Sequence, residues 1–436
     1  MSALRIPRYV AASITLASWM LLCTTAQDLK YRRDQAQIIA EHAADDITKH
    51  YYDPKLHGLD WGAKLDEAKK KIENATSSNL AFANIAAMLD ALNDSHTFFI
   101  PPTRSFSIDY GWRIEAIGEH CLVTHVRPET DAATKVHVGD EVLAINDYKP
   151  SRANLDRISY VLDVLRPQSK IEATVRSQSG EIRHLEIVSK VFPGQLVWTS
   201  TGEWQKFFEV EHDRLRPRIV SLSSDVLVVR IPSFRFLTPG DIGKVVSEAR
   251  KHKALILDLR GNPGGAVESL KMLVGGIFDH DVKIADAATR GDTKPLIAKS
   301  DRHNFSGRLT VLVDNSSRSG AEIFARVVQL EKRGVILGDR TAGMVMESQV
   351  YRHGVASVLF GVSVTIAALT MSDGESLEHV GVNPDETVLP TVDDITSMRD
   401  PVLARAAELA GAKLSPTDAA RLFPFEWETP FIFSGN

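Results

Sequence analysis

Three serines crowd one turn of this chain: Ser316, Ser317 and Ser319, within "VDNSSRSGAEIFARVVQ" (residues 313–329). There an apolar strand pattern gives way to a helical one. A serine hydroxyl is inert at neutral pH unless a base lies within hydrogen-bond reach. A structural role is also available, because Ser319-Gly320-Ala321-Glu322 reads as a capping box, with Ser319 as N-cap and Glu322 reaching back. A serine at a helix start gains equally, as a nucleophile, from the helix dipole and from the next amide, here that of Gly320. The two readings agree on where Ser319 sits and differ on what its hydroxyl does. A second loop, "LDLRGNPGGAVESL", passes from a strand through Gly261, Gly264 and Gly265 into a helix. It lacks the GK[ST] ending and the GxGxxG spacing of phosphate loops, so a phosphate cradle is discounted. A plain glycine-rich turn is its simpler alternative. The histidines are scattered and no metal-ligand spacing occurs, so neither a metal nor a cofactor is expected.

The elements that must position these loops follow from the residue pattern. "YRRDQAQIIAEHAADDITKHYY" and "SNLAFANIAAMLDALND" carry apolar residues at i, i+3, i+4 spacing and predict helices, with "DPKLHGLDWG" a loop between them. The second helix should stop at "NDSHTFFIPP". From about 106 to 190 short alternating runs ("CLVTHV", "EVLAIN", "KIEATVRS", "IRHLEIVSK") predict a compact strand-rich module with one helix-like piece, "RANLDRISYVLDVL". Beyond it, "VLVVRI", "ALILDL" and "TVLVD" are β-branched apolar runs separated by helical stretches, which predicts a mostly parallel, buried sheet. "GVILGD", "ASVLFGVSVTIAALTMS" and the helical "DPVLARAAELAGA" are expected to extend it. In such sheets ligands bind beyond the carboxyl ends of the strands, where both candidate loops fall.

Bulk properties narrow the class. A chain of 436 residues is too long for one ordinary core. Net charge is −5 with dispersed basic residues, which argues against nucleic acid as a partner. At the N-terminus Arg5 and Arg8 precede the 14-residue uncharged run "YVAASITLASWMLL" and then "CTTAQD". A positive start, a short apolar centre and small residues read as a signal peptide over residues 1–26, with cleavage after Ala26. Fourteen residues are short of the ~20 that a spanning helix needs. Export to a periplasm or outside the cell is therefore expected, with an uncleaved membrane anchor as the alternative. After cleavage only Cys121 remains, so no internal disulfide can form.

The ordered set "LDLRGNPGG", "VLVDNSSRSGAEIFA", "GVILGDRTAG" and "LEHVGVNPD" resembles the carboxyl-terminal-processing (tail-specific) serine proteases, the clan that includes tricorn. "YYDPKLHGLDW" and "LNDSHTFFIPP" resemble that family's N-terminal region, and "HVGDEVLAINDYKP" fits the GD-x-[IV]-L-x-[IV]-N signature of a PDZ domain. The resemblance implies a multidomain α/β and α+β chain. A signal peptide (1–26) would precede an N-terminal helical region (27–105), a PDZ-like β-rich module (106–190) and an α/β protease core with a crotonase-like, mostly parallel sheet (191–436). It implies Ser319 as nucleophile. The bacterial processing enzymes take its proton with a lysine 25 positions further on, where this chain has Met344, and no lysine occurs between Lys332 and Lys413. A thioether cannot accept a proton. The tricorn-like branch uses a histidine directly after a serine, with a distant glutamate, and Ser95-His96 and Glu378 stand at the matching places. The resemblance thus implies His96 as base, near its ordinary pKa of about 6.5, oriented by Ser95 and Glu378. Glu375 and Asp373 lie close enough in sequence to compete with Glu378.

By the same carry-over, the amides of Gly265 and Gly320 would form an oxyanion hole. Substrate would be a polypeptide, captured by the PDZ-like module through Gly111, Trp112, Arg113 and Ile114; self-association is left open. Trp112 is unusual in a carboxylate-binding loop, so the module could instead gate the site or act as a spacer. Two rivals remain: a catalytically inactive peptide- or ligand-binding protein on the same fold, favoured by Met344, and a hydrolase of small esters or amides.

Overall fold

The computed structural model describes residues 8–104, 106–193, 212–356 and 358–427. The expected signal peptide falls partly on residues 1–7, outside the described ones. The rest of it is the first part of a helix, Arg8–His50. Among the described residues no helix is long and apolar enough to cross a membrane. Ile39, Ala40, Ala43, Ala44 and Ile47 form the buried face of that helix, at the spacing that puts side chains on one stripe. Two further helices, Trp61–Glu73 and Ser78–Leu89, pack against it, capped by the side chains of Asp60 and Ser77. Asn93, in the left-handed conformation (φ 53°), then turns the chain out of its last helical turn and into Asp94-Ser95-His96.

This N-terminal region is not a separate helical unit. Strand β1 (Phe98–Ile100) joins a sheet of the C-terminal half, and Ile39, Ile47, Ile85, Leu89 and Phe99 share one apolar cluster with Phe360, Val362 and Val364. Three helices with one apolar face each need something to cover, and the long C-terminal strand supplies it.

The segment 106–193 holds β2 (Phe106–Asp109), β3 (Trp112–Ile117), β4 (His120–Val126), β5 (Glu141–Ile145), β6 (Lys170–Arg176), β7 (Ile182–Val188) and β8 (Lys190–Pro193). β3 to β7 form an antiparallel five-stranded sheet in sequence order, with β3 at its edge, and β2 pairs with β8. A short helix, Leu155–Ser159, runs into a wider turn, Tyr160–Leu165, whose Ile158 and Leu162 pack on the sheet.

The C-terminal half contains β9 (Arg218–Ser221), β10 (Val226–Arg230), β11 (Ala254–Asp258), β12 (Val282–Thr289), β13 (Thr293–Ala298), β14 (Arg308–Val313), β15 (Val335–Gly338), β16 (Met346–Val355), β17 (Val358–Met371) and β18 (Glu386–Thr387). Six of these make a sheet in the order β18-β15-β14-β11-β10-β9, parallel except for β9. Its strands are apolar on both sides because both faces are covered. Leu227 and Val229 face the helices Pro239–Ala249, Val267–Ile277 and Gly320–Leu330, while Val226 and Val228 face Pro401–Ala410. One expectation fails here: "ASVLFGVSVTIAALTMS" does not extend the parallel sheet. It forms β17, the spine of a second, antiparallel sheet with β1, β12, β13 and β16. β16 and β17 form one long hairpin, and antiparallel pairing across a short turn is closed locally, without a crossover helix.

Candidate active site

β11 and β14 are parallel neighbours, so their carboxyl ends deliver the two glycine- and serine-rich loops to one edge of the sheet. After β14 the chain turns sharply into the helix Gly320–Leu330, and Ser319 occupies the turn with φ 51° and ψ −117°. A residue with a Cβ is strained at positive φ, and such strain persists only where the surroundings over-determine it. Here Glu322, fully buried, does that work. Its carboxylate accepts from Ser319 N (3.0 Å), Thr341 Oγ1 (2.5 Å), Gly343 N (2.7 Å) and Met344 N (2.9 Å). Burial raises its pKa, and the four donors oppose that rise. The Glu322 limb of the expected capping box is therefore present, and it ties Ser319 to the "RTAGMV" turn as well as to its own helix.

The Ser319 hydroxyl lies 3.4 Å from His96 Nε2. His96 Nδ1 lies 2.7 Å from Ser95 Oγ, and Ser95 Oγ lies 2.9 Å from Glu378 Oε2. Glu378 also accepts from Ser95 N (Oε1, 2.7 Å) and Val345 N (Oε2, 2.7 Å). The polarity of this run is fixed by its acidic end. A carboxylate only accepts, so the Ser95 hydroxyl donates to Glu378 and must accept from His96 Nδ1–H. That leaves the Nε2 lone pair for the Ser319 proton. The 3.4 Å separation is long, as such contacts commonly are before substrate tightens them. Burial holds the His96 pKa below the ordinary imidazole value, partly opposed by the carboxylates of Glu378 and Asp94.

Of the competing acids, Asp373 is engaged with Arg326, and Glu375 gives its backbone N–H to Asp373 (3.2 Å); of the three, Glu378 is the one that hydrogen-bonds Ser95 among the described residues. Met344 contributes backbone alone to this network: its carbonyl accepts from Ser319 N at 3.0 Å.

The Gly264-Gly265 loop packs directly under Ser319. A Cβ on Gly264 would stand 2.7 Å from Ser319 Cβ and 2.9 Å from Gly320 N, and Gly264 has φ 81°. Gly265 (φ 145°) lies against the backbone of Phe234 and Arg235, which a Cβ would strike at 2.2 Å. Bare backbone is required at both positions. The amides of Gly265 and Gly320 have no acceptor among the hydrogen bonds of the described residues. Buried Asn262 holds the loop in place: its side chain accepts from Gly264 N (2.8 Å) and donates to Ile231 O (2.8 Å), while its carbonyl accepts from Arg318 N (2.9 Å). Sequence reasoning passed over Asn262, although an amide side chain opening a glycine turn is the usual signal of such a brace. At the foot of the same loop the Arg260 guanidinium pairs with Asp258 (2.9 Å) and Asp400 (2.8 Å).

Gly111, Trp112, Arg113 and Ile114 are not in the hydrogen-bonded cluster around Ser319. They start the edge strand β3, where Gly111 (φ 78°) donates its N–H to Asp109 Oδ1 (2.6 Å) and Arg113 pairs with Glu115 (2.6 Å). The segment 106–193 nevertheless touches both halves of the site. Asp156 pairs with Arg318, Arg157 with Asp90, and Arg152 with Asp339 (2.8 Å).

Comparison with known proteins finds similarity to one peptidase family. Residues 225–388 match the model of Peptidase family S41. The chain is 24% identical over 381 residues to "Carboxyl-terminal-processing peptidase 3, chloroplastic" of Arabidopsis thaliana, covering 80% of this chain and 69% of that protein. It is 20% identical over 341 residues to "Carboxy-terminal processing protease CtpA" of Bacillus subtilis (strain 168), covering 74% and 67%. In fold it is similar to mature CPAF, with a TM-score of 0.64 at 16% identity over 84% of this chain and 94% of that one. The match over 225–388 and these relatives make the chain similar to peptidases of family S41, and its mixed α/β, several-sheet architecture is similar to theirs.

Proposed function

We propose that this chain is an exported serine endopeptidase of the tail-specific type, with Ser319 as nucleophile and His96 as its base. The observation that carries the reading is the unbroken run Ser319–His96–Ser95–Glu378, which joins residues up to 283 positions apart in sequence. Ser319 Oγ attacks the scissile carbonyl carbon and its proton passes to His96 Nε2. The oxygen, now anionic, is met by the Gly265 and Gly320 amides. The imidazolium then gives the proton to the departing amine, and water resolves the acyl-enzyme by the same path in reverse roles. Each oxyanion donor is worth about 3–4 kcal/mol in such sites. Lysine is not needed at position 344, because the base arrives from the N-terminal region instead, as in the tricorn-like branch.

The 106–190 module is read as PDZ-like. Among the described residues β3 pairs with one strand, β4, and its other edge suits an extended peptide added as a further strand. Its ion pairs to Arg318 and Asp90, close in sequence to Ser319 and His96, equally suit a gate. A ligand-binding shell is the alternative that Met344 keeps open.

A fluorophosphonate probe separates hydrolase from binder. Labelling of the wild type that disappears in both Ser319→Ala and His96→Ala is expected. A folded wild type that takes no label overturns the peptidase reading.

A further inference from the structure

We propose that Asp94 is a positioning residue of the proton relay, acting through His96: a second carboxylate that pins the imidazole's backbone and stabilises its positive charge. The inference rests on the peptidase reading above. Asp94 lies in the loop between the left-handed Asn93 and β1, two residues before the histidine. Its Oδ1 accepts from His96 N (2.9 Å), Thr97 N (2.7 Å) and Thr365 Oγ1 (2.7 Å). Three donors on one oxygen clamp this loop to β17, and so set where the ring can point. The other oxygen, Oδ2, is buried as well. The Tyr51 phenol faces this carboxylate: burial raises its pKa first, and the charge of Asp94 and a hydrogen bond with the Asp94 side chain raise it further, while its hydroxyl also lies 2.9 Å from His57 Nε2. The carboxylate thus sits beside the base, two residues before it in the chain and bonded to its backbone N–H.

The groups around these two residues come from three other elements. Tyr51 and Tyr52 close the N-terminal helix, and both feel Asp94. Glu378, with His379 3.7 Å from it, comes from the loop after β17, and Ser319 from the turn after β14. Glu378 reaches the imidazole through Ser95, whereas Asp94 acts on it through the field and through its backbone N–H. The two carboxylates thus divide one task. Glu378 orders the relay, and Asp94 adds charge stabilisation for the imidazolium that forms as Ser319 attacks.

Asp94→Asn tests this, because it keeps an oxygen for the three donors and deletes only the charge. With wild type active, the plateau of kcat/KM should fall several-fold, because the imidazolium that forms as Ser319 attacks loses a neighbouring negative charge. The acid limb of the profile should move to lower pH, since the lost carboxylate had been holding the imidazole pKa up. A reduced rate with an unmoved acid limb, or an unchanged rate, overturns the proposal. If Asp94→Asn does not fold, Thr365→Val removes one clamp while sparing the charge: it should lower the rate without moving the limb, and a moved limb would count against the assignment of charge to Asp94. An inactive wild type, by contrast, would sink the peptidase reading itself.

Discussion

Deleting the hydroxyl of Ser95 isolates the middle of the relay. In Ser95→Ala, His96 Nδ1–H loses its acceptor at 2.7 Å, and Glu378 Oε2 loses a donor at 2.9 Å. Glu378 stays where it is, because Ser95 N and Val345 N still hold it at 2.7 Å each. The loss therefore falls on the imidazole, which keeps a half-buried N–H with no partner. Such a group costs about 1–3 kcal/mol. If that penalty is felt wherever the ring is in its productive orientation, kcat/KM falls roughly five- to 150-fold, at 1.36 kcal/mol per decade. The assay is peptide hydrolysis at the high-pH plateau, with Ser319→Ala as the zero and thermal melting as the check on folding. A well-folded Ser95→Ala within twofold of wild type would refute the relay, since the ring would then be oriented by something else.

The pH dependence has a definite sign. Burial lowers the folded His96 pKa, so the neutral, active imidazole persists to lower pH than a free histidine would allow. Labelling and hydrolysis should rise with pH through that lowered value and then level off, while a profile flat from about pH 5 to 8 speaks against an imidazole base. For stability, the unfolded chain binds the proton more readily, so the contribution of His96 is present above about pH 6.5 and is lost as pH falls through the folded value, measurable as a declining melting temperature. Gly264→Ala should lower stability by about 1–3 kcal/mol and remove most probe labelling, because its Cβ meets Ser319 and the Gly320 amide at a positive φ. Gly291→Ala, with nothing within 4 Å, is the control and should leave both unchanged.

How much of this was legible in the sequence can be argued residue by residue. β10, β11, β14 and β15 announced themselves because a strand covered on both faces has only one kind of residue to offer. β17 has the same apolar texture and was assigned to the wrong sheet, since composition cannot tell which edge a strand will find. Ser319 was ambiguous between cap and nucleophile. The structure leaves the capping carboxylate of Glu322 on the backbone and brings the hydroxyl to an imidazole, so the helix start supports both arrangements. Asn262 and Asp94 were missed for a common reason: each works by bonding backbone amides, and a backbone amide has no identity in a sequence.

What the sequence determined by itself was chemistry and local form: a serine at a helix start, glycines where a backbone must come close, a histidine beside a serine, and no lysine at position 344. These follow from side-chain type and from spacing within a few residues. Only the tertiary structure decided that His96, carried by a loop between the N-terminal helices and β1, stands 3.4 Å from Ser319, and that Glu378 rather than Glu375 closes the run. That outcome depends on β1 pairing with β17 and on three helices covering that sheet, a balance of long-range burial that no short window of residues contains.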